Sequence, residues 1–312
     1  MKYSNLLRKT ILLAAVHSGV SFAPSTTRIL SNPSSHLSKI KNTFVVNEAS
    51  TRGSYLYDTS TSLHMKKDTS NDTETKDGFF KDLSINPFYA VPYLLFFSVA
   101  TYMTVNEGSS GASQDIINAF IADPLHPNTG SSLFEVVFNT LGLVGLPMAC
   151  LLMPAAKDQK FSATPFLFGS SLAGYGSLGL YMMTRKPREE VSVDDLGWFT
   201  KNVLENKIFN WVLVAALLNI YLITGAGQDL LSDWNGTFGA FLDTITKSAL
   251  GLTSTVDLTI LCLTGASLVP EDLARRGITD KGKAYAIAAS TLLLPAVGTA
   301  VYCALRPSLK EE

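Results

Sequence analysis

Residues 133–154 read LFEVVFNTLGLVGLPMACLLMP, and the reading of this stretch decides the fold. One charge, Glu135, interrupts it near its start. A hydrocarbon core demands about 20 apolar residues of a helix, and only helices or closed barrels satisfy the backbone there. A barrel strand would be about half as long and would alternate apolar with polar residues. This stretch does neither, so it reads as a transmembrane helix. Five further runs share the pattern: 87–105, bent in its first turns by Pro92, then 165–184, 208–226, 249–269 and 285–305. The expected fold is all-α, a polytopic membrane bundle of about six transmembrane helices behind a disordered N-terminal presequence. A soluble helix bundle fits poorly with runs this long and this free of charge.

Composition agrees. Of 312 residues, 46% are hydrophobic and 16% charged, against about 25% charged in soluble domains. Mean hydropathy is +0.21. A disordered chain, a nucleic-acid partner held by a basic surface and a disulfide scaffold are all poor fits. Cys150, Cys262 and Cys303 lie in apolar stretches, at no metal-ligand or Cys-x-x-Cys spacing, and read as small buried hydrophobes.

The charge divides at Met65. Before it stand 7 Lys or Arg and 2 Asp or Glu, although the whole chain has a formal net charge of −1. A basic leader therefore precedes an acidic body. Residues 1–21 carry Lys2, Arg8 and Lys9, a short apolar core from Ile11 to Val16, and Gly19 and Ser21 before a cut. That is a signal peptide, too short to span comfortably. The segment 22–64 is rich in Ser and Thr and has no acid before Glu48, the composition of a transit peptide. The junction Ser21/Phe22-Ala23-Pro24 resembles the bipartite presequences of plastids bounded by extra membranes, as in diatoms and related algae. The resemblance implies cleavage between Ser21 and Phe22, and removal of the transit peptide near Thr61-Ser62-Leu63-His64-Met65. Residues 65–86 are polar and read as a flexible segment, and 306–312 as a short polar tail.

Asp229 to Leu252 is a different kind of segment. Phe238, Phe241, Leu242, Ile245 and Ala249 share one helical face, opposed by Asp243, Thr246 and Lys247, as in a helix lying on the membrane. Orientation is undecided by charge, because six alternating spans divide the basic residues evenly between the two sides. The uncharged loop after the first run places the N-terminal segment in the stroma. The tie has a candidate cause. Glu135, Leu152-Met-Pro154 and Tyr181-Met-Met-Thr-Arg185 are followed in the same order by Asp257, Leu268-Val-Pro270 and Tyr302-Cys-Ala-Leu-Arg306. Three spans per unit would make this an inverted repeat. The C-terminal third, from Asp257 through Glu271-Asp-Leu-Ala-Arg275-Arg276 to Arg306, also resembles a small bacterial and cyanobacterial membrane-protein family without an assigned activity.

Four intramembrane polar residues are candidate sites: Asp257, Glu135, Asn139 and Asn219. A carboxylate at midspan must face the bundle, a partner or water. Asp257 is thus either an ion or ligand contact or a helix cap beside Ser254 and Thr255, and Glu135 has the same two readings. The amides more often join helices than bind substrate. Gly169, Ala173, Gly174, Gly176, Ser177 and Gly179 crowd the third run, where they let another backbone approach. His126 between two prolines reads as a turn residue. No HExxH, GxSxG, P-loop or GxGxxG pattern is present. The expectation is a non-enzymatic accessory or assembly factor in a plastid membrane, the thylakoid rather than the envelope. It would need no cofactor or metal, and its partners would be the lipid bilayer and other plastid membrane proteins. The alternative is a small-solute or ion transporter built on the inverted repeat.

Overall fold

The computed structural model describes residues 84–108 and 110–309. The expected signal and transit peptides, with Ser21 and Phe22, and most of the polar segment lie outside the described residues. All regular structure among the described residues is helical. In chain order the α-helices are α1 (Pro87–Glu107), α2 (Ala112–Ala122), α3 (Ser132–Leu152), α4 (Ala163–Ala173), α5 (Tyr175–Thr184) and α6 (Lys207–Ile223). They continue as α7 (Ala226–Ser232), α8 (Trp234–Lys247), α9 (Ala249–Arg275), α10 (Lys281–Ser290) and α11 (Val297–Leu305).

Local chemistry sets where they start. Asn86 Oδ1 accepts from Phe88 N at 3.0 Å, Ser131 Oγ from Phe134 N at 3.3 Å, and Ser248 Oγ from Gly251 N at 3.0 Å. Each side chain satisfies a donor that the first turn leaves orphaned. Beyond the caps the interiors are apolar. Among the described residues three helices are long and apolar enough to cross a membrane: α1, α3 with its one-turn extension to Ala155, and α9. A fourth is added where α6 and α7, bent by 59°, are taken as one span.

Contacts at the helix ends define two faces. On one, Asn86 N donates to Met183 O at 2.8 Å, the guanidinium of Arg275 reaches Leu151 O at 3.3 Å, and Arg306 reaches Cys150 O at 3.0 Å. On the other, Glu107 accepts from Ala249 N at 2.7 Å, and Ser132 Oγ donates to Asp229 Oδ2 at 2.7 Å. Helices α3 and α9 therefore run in the same direction. α9 is the central helix, packed against α1, α3, α8 and α10.

Two of the six apolar runs are not among these candidate spans. Run 165–184 breaks at Gly174 (φ 52°, ψ −132°) into α4 and α5, which pack side by side. Ser177 Oγ donates to Phe166 O at 3.1 Å, and the rings of Phe166 and Tyr181 are 5.8 Å apart. Residues eleven apart in a straight helix would be separated by about 16 Å. At the mouth, Gln159 and Lys186 exchange bonds of 2.9 and 2.8 Å. Run 165–184 is thus a hairpin that enters and leaves by one face. Each leg, at 1.5 Å per residue, reaches about half-way through a core of about 30 Å.

Run 285–305 behaves likewise. α10 ends at Ser290, the chain turns through Pro295 and Ala296 (φ 60°), and α11 returns to Arg306 on the face where α10 began. α10 lies on α9 and α11 on α6. A Cβ added at Gly298 would overlap the carbonyl of Thr291, so glycine allows the turn to close. Hydropathy counts apolar residues and does not record a reversal, which is why both hairpins read as spans.

Two expectations change with the topology. The two stretches expected to form an inverted repeat, α3 with α4–α5 and α9 with α10–α11, run in the same orientation rather than inverted. The charge tie also disappears. Among the described residues every Lys and Arg except Lys247 falls on the face that holds the hairpin mouths, whereas Glu107, Asp115, Asp123, Asp229, Asp233 and Asp243 fall on the other. We refer to the first as the basic face.

Candidate functional site

Asp257, nine-tenths or more buried on α9, meets the tip of the first hairpin. Its Oδ1 accepts from Tyr175 N at 2.7 Å, where α5 begins and presents the positive end of its dipole. Asp257 is a helix cap, though of α5 rather than of its own helix, whose cap is Ser248. A Cβ at Gly174 would overlap the Asp257 carboxylate. Only glycine fits there, on both conformational and steric grounds. Asp257→Asn keeps an acceptor oxygen for Tyr175 N, whereas Asp257→Leu removes it and orphans a buried donor. The expected result is normal accumulation of the Asn variant in membranes and reduced accumulation of the Leu variant, read by immunoblot against the unaltered chain. Equal accumulation of both would reject the capping role.

The small residues of the third run serve two contacts. Gly169 faces Ser177 across the hairpin, and a Cβ there would overlap the Ser177 hydroxyl. Gly176 and Gly179 face α1, with Phe96, Phe97 and Tyr93 as neighbours; a Cβ at Gly179 would lie 2.6 Å from Tyr93 Cδ2. Ala173, half-buried, sits beside the tip.

The other candidate residues do not converge on Asp257. Glu135 is buried in the first turn of α3 and accepts from Thr129 N at 2.7 Å and from Thr129 Oγ1 at 3.0 Å, strapping the preceding loop to the helix. Asn139 is half-buried one turn on, and its Nδ2 has no partner among the described residues. Asn219 is exposed on α6, off the stripe of Leu213, Val214, Leu217 and Ile220 that faces the core. His126 is exposed, its backbone N–H donating to Asp123. No group of metal-ligating side chains exists among the described residues.

The most concentrated chemistry lies at the basic face, at residues the sequence reading did not name as candidate sites. Arg276 donates to both oxygens of Asp272, at 2.9 and 3.2 Å, and to Glu205 at 3.0 Å. Arg306 donates to Asp272 at 3.1 Å, to Glu205 at 2.8 Å and to Cys150 O at 3.0 Å. Tyr302 Oη donates to Asp272 at 2.7 Å. Alongside, Arg185 pairs with Glu271, which also accepts from Arg188 N at 3.0 Å. The side chains of Asp272 and Arg276 are 0% exposed. Burial alone would lower the pKa of Arg306, but the carboxylate of Asp272 beside it holds it above the ordinary arginine value. Both hairpins therefore end on an Arg that meets one of two adjacent acids of α9. The signal that could have found this cluster was the recurrence of Tyr-x-x-x-Arg after each run.

A cavity of about 640 Å³, open on one side, lies between α3, α6, α8, α9 and the tip of the second hairpin. Its walls are mainly apolar, and Asp257 is not among them. No family model matches this chain, and neither a curated protein nor a solved structure matches it. The class is set by the fold alone: an all-helical protein with three to four candidate membrane spans.

Proposed function

We propose that the chain is an integral protein of a plastid membrane, the thylakoid in particular, where it serves a larger complex as a non-enzymatic accessory or assembly factor. The observation that carries this reading is how its intramembrane polar groups are used. Asp257 caps a hairpin tip, Glu135 straps a loop, and the basic-face charges bond to one another. These groups hold helices and do not line a polar path. The plastid address rests on the leader, and the thylakoid on the sequence expectation. Basic residues favour the side from which a membrane protein is inserted, which supports a stromal basic face. The chain enters the described region on that face, at Asn86.

A carrier is the second reading, favoured by one observation: two discontinuous helical hairpins whose tips meet α9 at mid-membrane, an arrangement that transporters use at their binding sites. Native-gel migration of the tagged full chain from mildly solubilised thylakoids separates the two. The accessory reading expects comigration with a large pigment–protein complex. Migration solely as a small oligomer overturns it and promotes the carrier.

A further inference from the structure

The cavity lies in the half of the bundle away from the basic face. Val136, Val137 and Thr140 of α3 and Leu258 of α9 form its inner wall, and Phe238 and Phe241 of α8 close it toward the far face. Its polar content is low and partly spent. Thr255 Oγ1 donates to Gly251 O at 2.8 Å and Thr259 Oγ1 to Thr255 O at 2.8 Å, so these hydroxyls are bonded within their own helix. A water in such a space would lack the two to four polar partners that hold buried water.

The mouth is equally apolar. Leu293 and Leu294, at the tip of the second hairpin, are 81% and 52% exposed, and Leu263 on α9 is 52% exposed. These side chains stand at mid-membrane, where the surrounding medium is hydrocarbon. The cavity's volume lies within the usual range of small-molecule sites, about 300–1,000 Å³. It thus offers an apolar chain continuous contact and a polar head few partners.

We propose that this cavity holds one acyl chain of a bilayer lipid drawn from the leaflet opposite the basic face. The chain enters past Leu293 and Leu294 and lies between α3 and α9 under the roof of α8, while its headgroup stays at the membrane surface. The occupant is set by the medium at the mouth. An extended peptide inserted there would bury backbone donors and acceptors with no partners, and a helix about 10–12 Å across is too wide for the space, whereas a lipid tail loses no hydrogen bond by entering. The proposal does not depend on which complex the protein serves.

The test uses the full chain in phosphatidylcholine vesicles doped with a phosphatidylcholine bearing a diazirine midway along one acyl chain. After irradiation, labelled peptides are mapped by mass spectrometry. The expected result is several-fold heavier labelling at Val137 and Leu258 than at Val91 and Leu94, exposed positions of α1 that meet only bulk lipid. Thr140→Trp, which fills the cavity from its inner wall, should abolish the excess and leave α1 labelling unchanged. Thr259→Trp narrows the mouth from an exposed position and should reduce the excess in a chain whose core is untouched. Equal labelling of the two surfaces, or an excess that survives both variants, overturns the proposal. So does recovery of a stoichiometric prenyl lipophile, in place of an acyl lipid, when the protein purified from its own membrane is extracted with solvent. Labelling that appears only after a co-purifying polypeptide is stripped away would give the cavity to a protein and would also overturn it.

Discussion

Asp272→Leu should be the most damaging single substitution in the molecule. Asp272 accepts from Arg276, Arg306 and Tyr302, and leucine would leave two buried guanidinium groups facing each other, with Glu205 as their one shared carboxylate. Breaking a buried pair from one side costs about 3–5 kcal/mol, because the remaining charge is desolvated and uncompensated. That is a large share of the roughly 5–15 kcal/mol by which a domain is stable. The expected readout is failure to accumulate, or a large fall in the unfolding midpoint of the purified protein in detergent. The double variant Asp272→Leu, Arg306→Leu should recover part of the loss, since it removes one orphaned charge along with its partner. A single variant within about 1 kcal/mol of the unaltered chain would mean that the cluster behaves as an exposed network.

The cluster matters beyond its energy, because it decides where the hairpins end. Arg185 closes the first hairpin on Glu271 and Arg306 closes the second on Asp272, and both acids lie in the last turns of α9. A buried salt bridge contributes little net stability against apolar residues of the same shape. Its discrimination against wrong arrangements is larger. A return leg that crossed the membrane, as the hydropathy pattern suggests, would carry its Arg to the far face, away from Glu271 and Asp272.

How much of this was legible in the sequence depends on the physical quantity in question. The helices α1, α3 and α9 follow from length and apolarity, quantities that a linear sequence records. The amphipathic spacing of Phe238, Phe241 and Ile245 likewise places a helix, and α8 covers those residues. A reversal inside an apolar run leaves no trace in hydropathy. Its mark is a glycine whose need appears only with the coordinates: Gly174 looked like one of six small residues suited to packing. The even split of basic residues was a further signal of the hairpins, since two misassigned crossings moved half the charges to the wrong side. Glu271, Asp272, Arg275 and Arg276 were not singled out as a site because their partners, Arg185, Glu205 and Arg306, are distant in sequence. Asn219 was a different kind of miss. The buried stripe of α6 at Leu213, Leu217 and Ile220 is readable from helical period, and Asn219 lies off it.

Gly174→Ala should carry the second-largest effect, and it tests the hairpin itself. At φ 52° and ψ −132° the residue sits in a region that side chains avoid, at a strain of about 1–3 kcal/mol. The added methyl would also overlap the Asp257 carboxylate, driving it from Tyr175 N and leaving a buried donor and acceptor unmade, a further loss of about 1–3 kcal/mol. Gly176→Ala is the control. Its backbone needs no positive φ, and a Cβ there would meet Phe96 and Phe97 at 3.4 and 3.5 Å, an ordinary contact. The unfolding midpoint of Gly174→Ala should fall well below that of Gly176→Ala. Asp257→Ala added to Gly174→Ala should relieve the overlap without relieving the backbone, so the double variant should fall short of the sum of the two singles. A straight helix through residue 174 would make the opposite demand: alanine exceeds glycine in helix propensity by about 1 kcal/mol, so Gly174→Ala would then stabilise the protein. The sign of that one shift decides between a crossing span and a re-entrant hairpin.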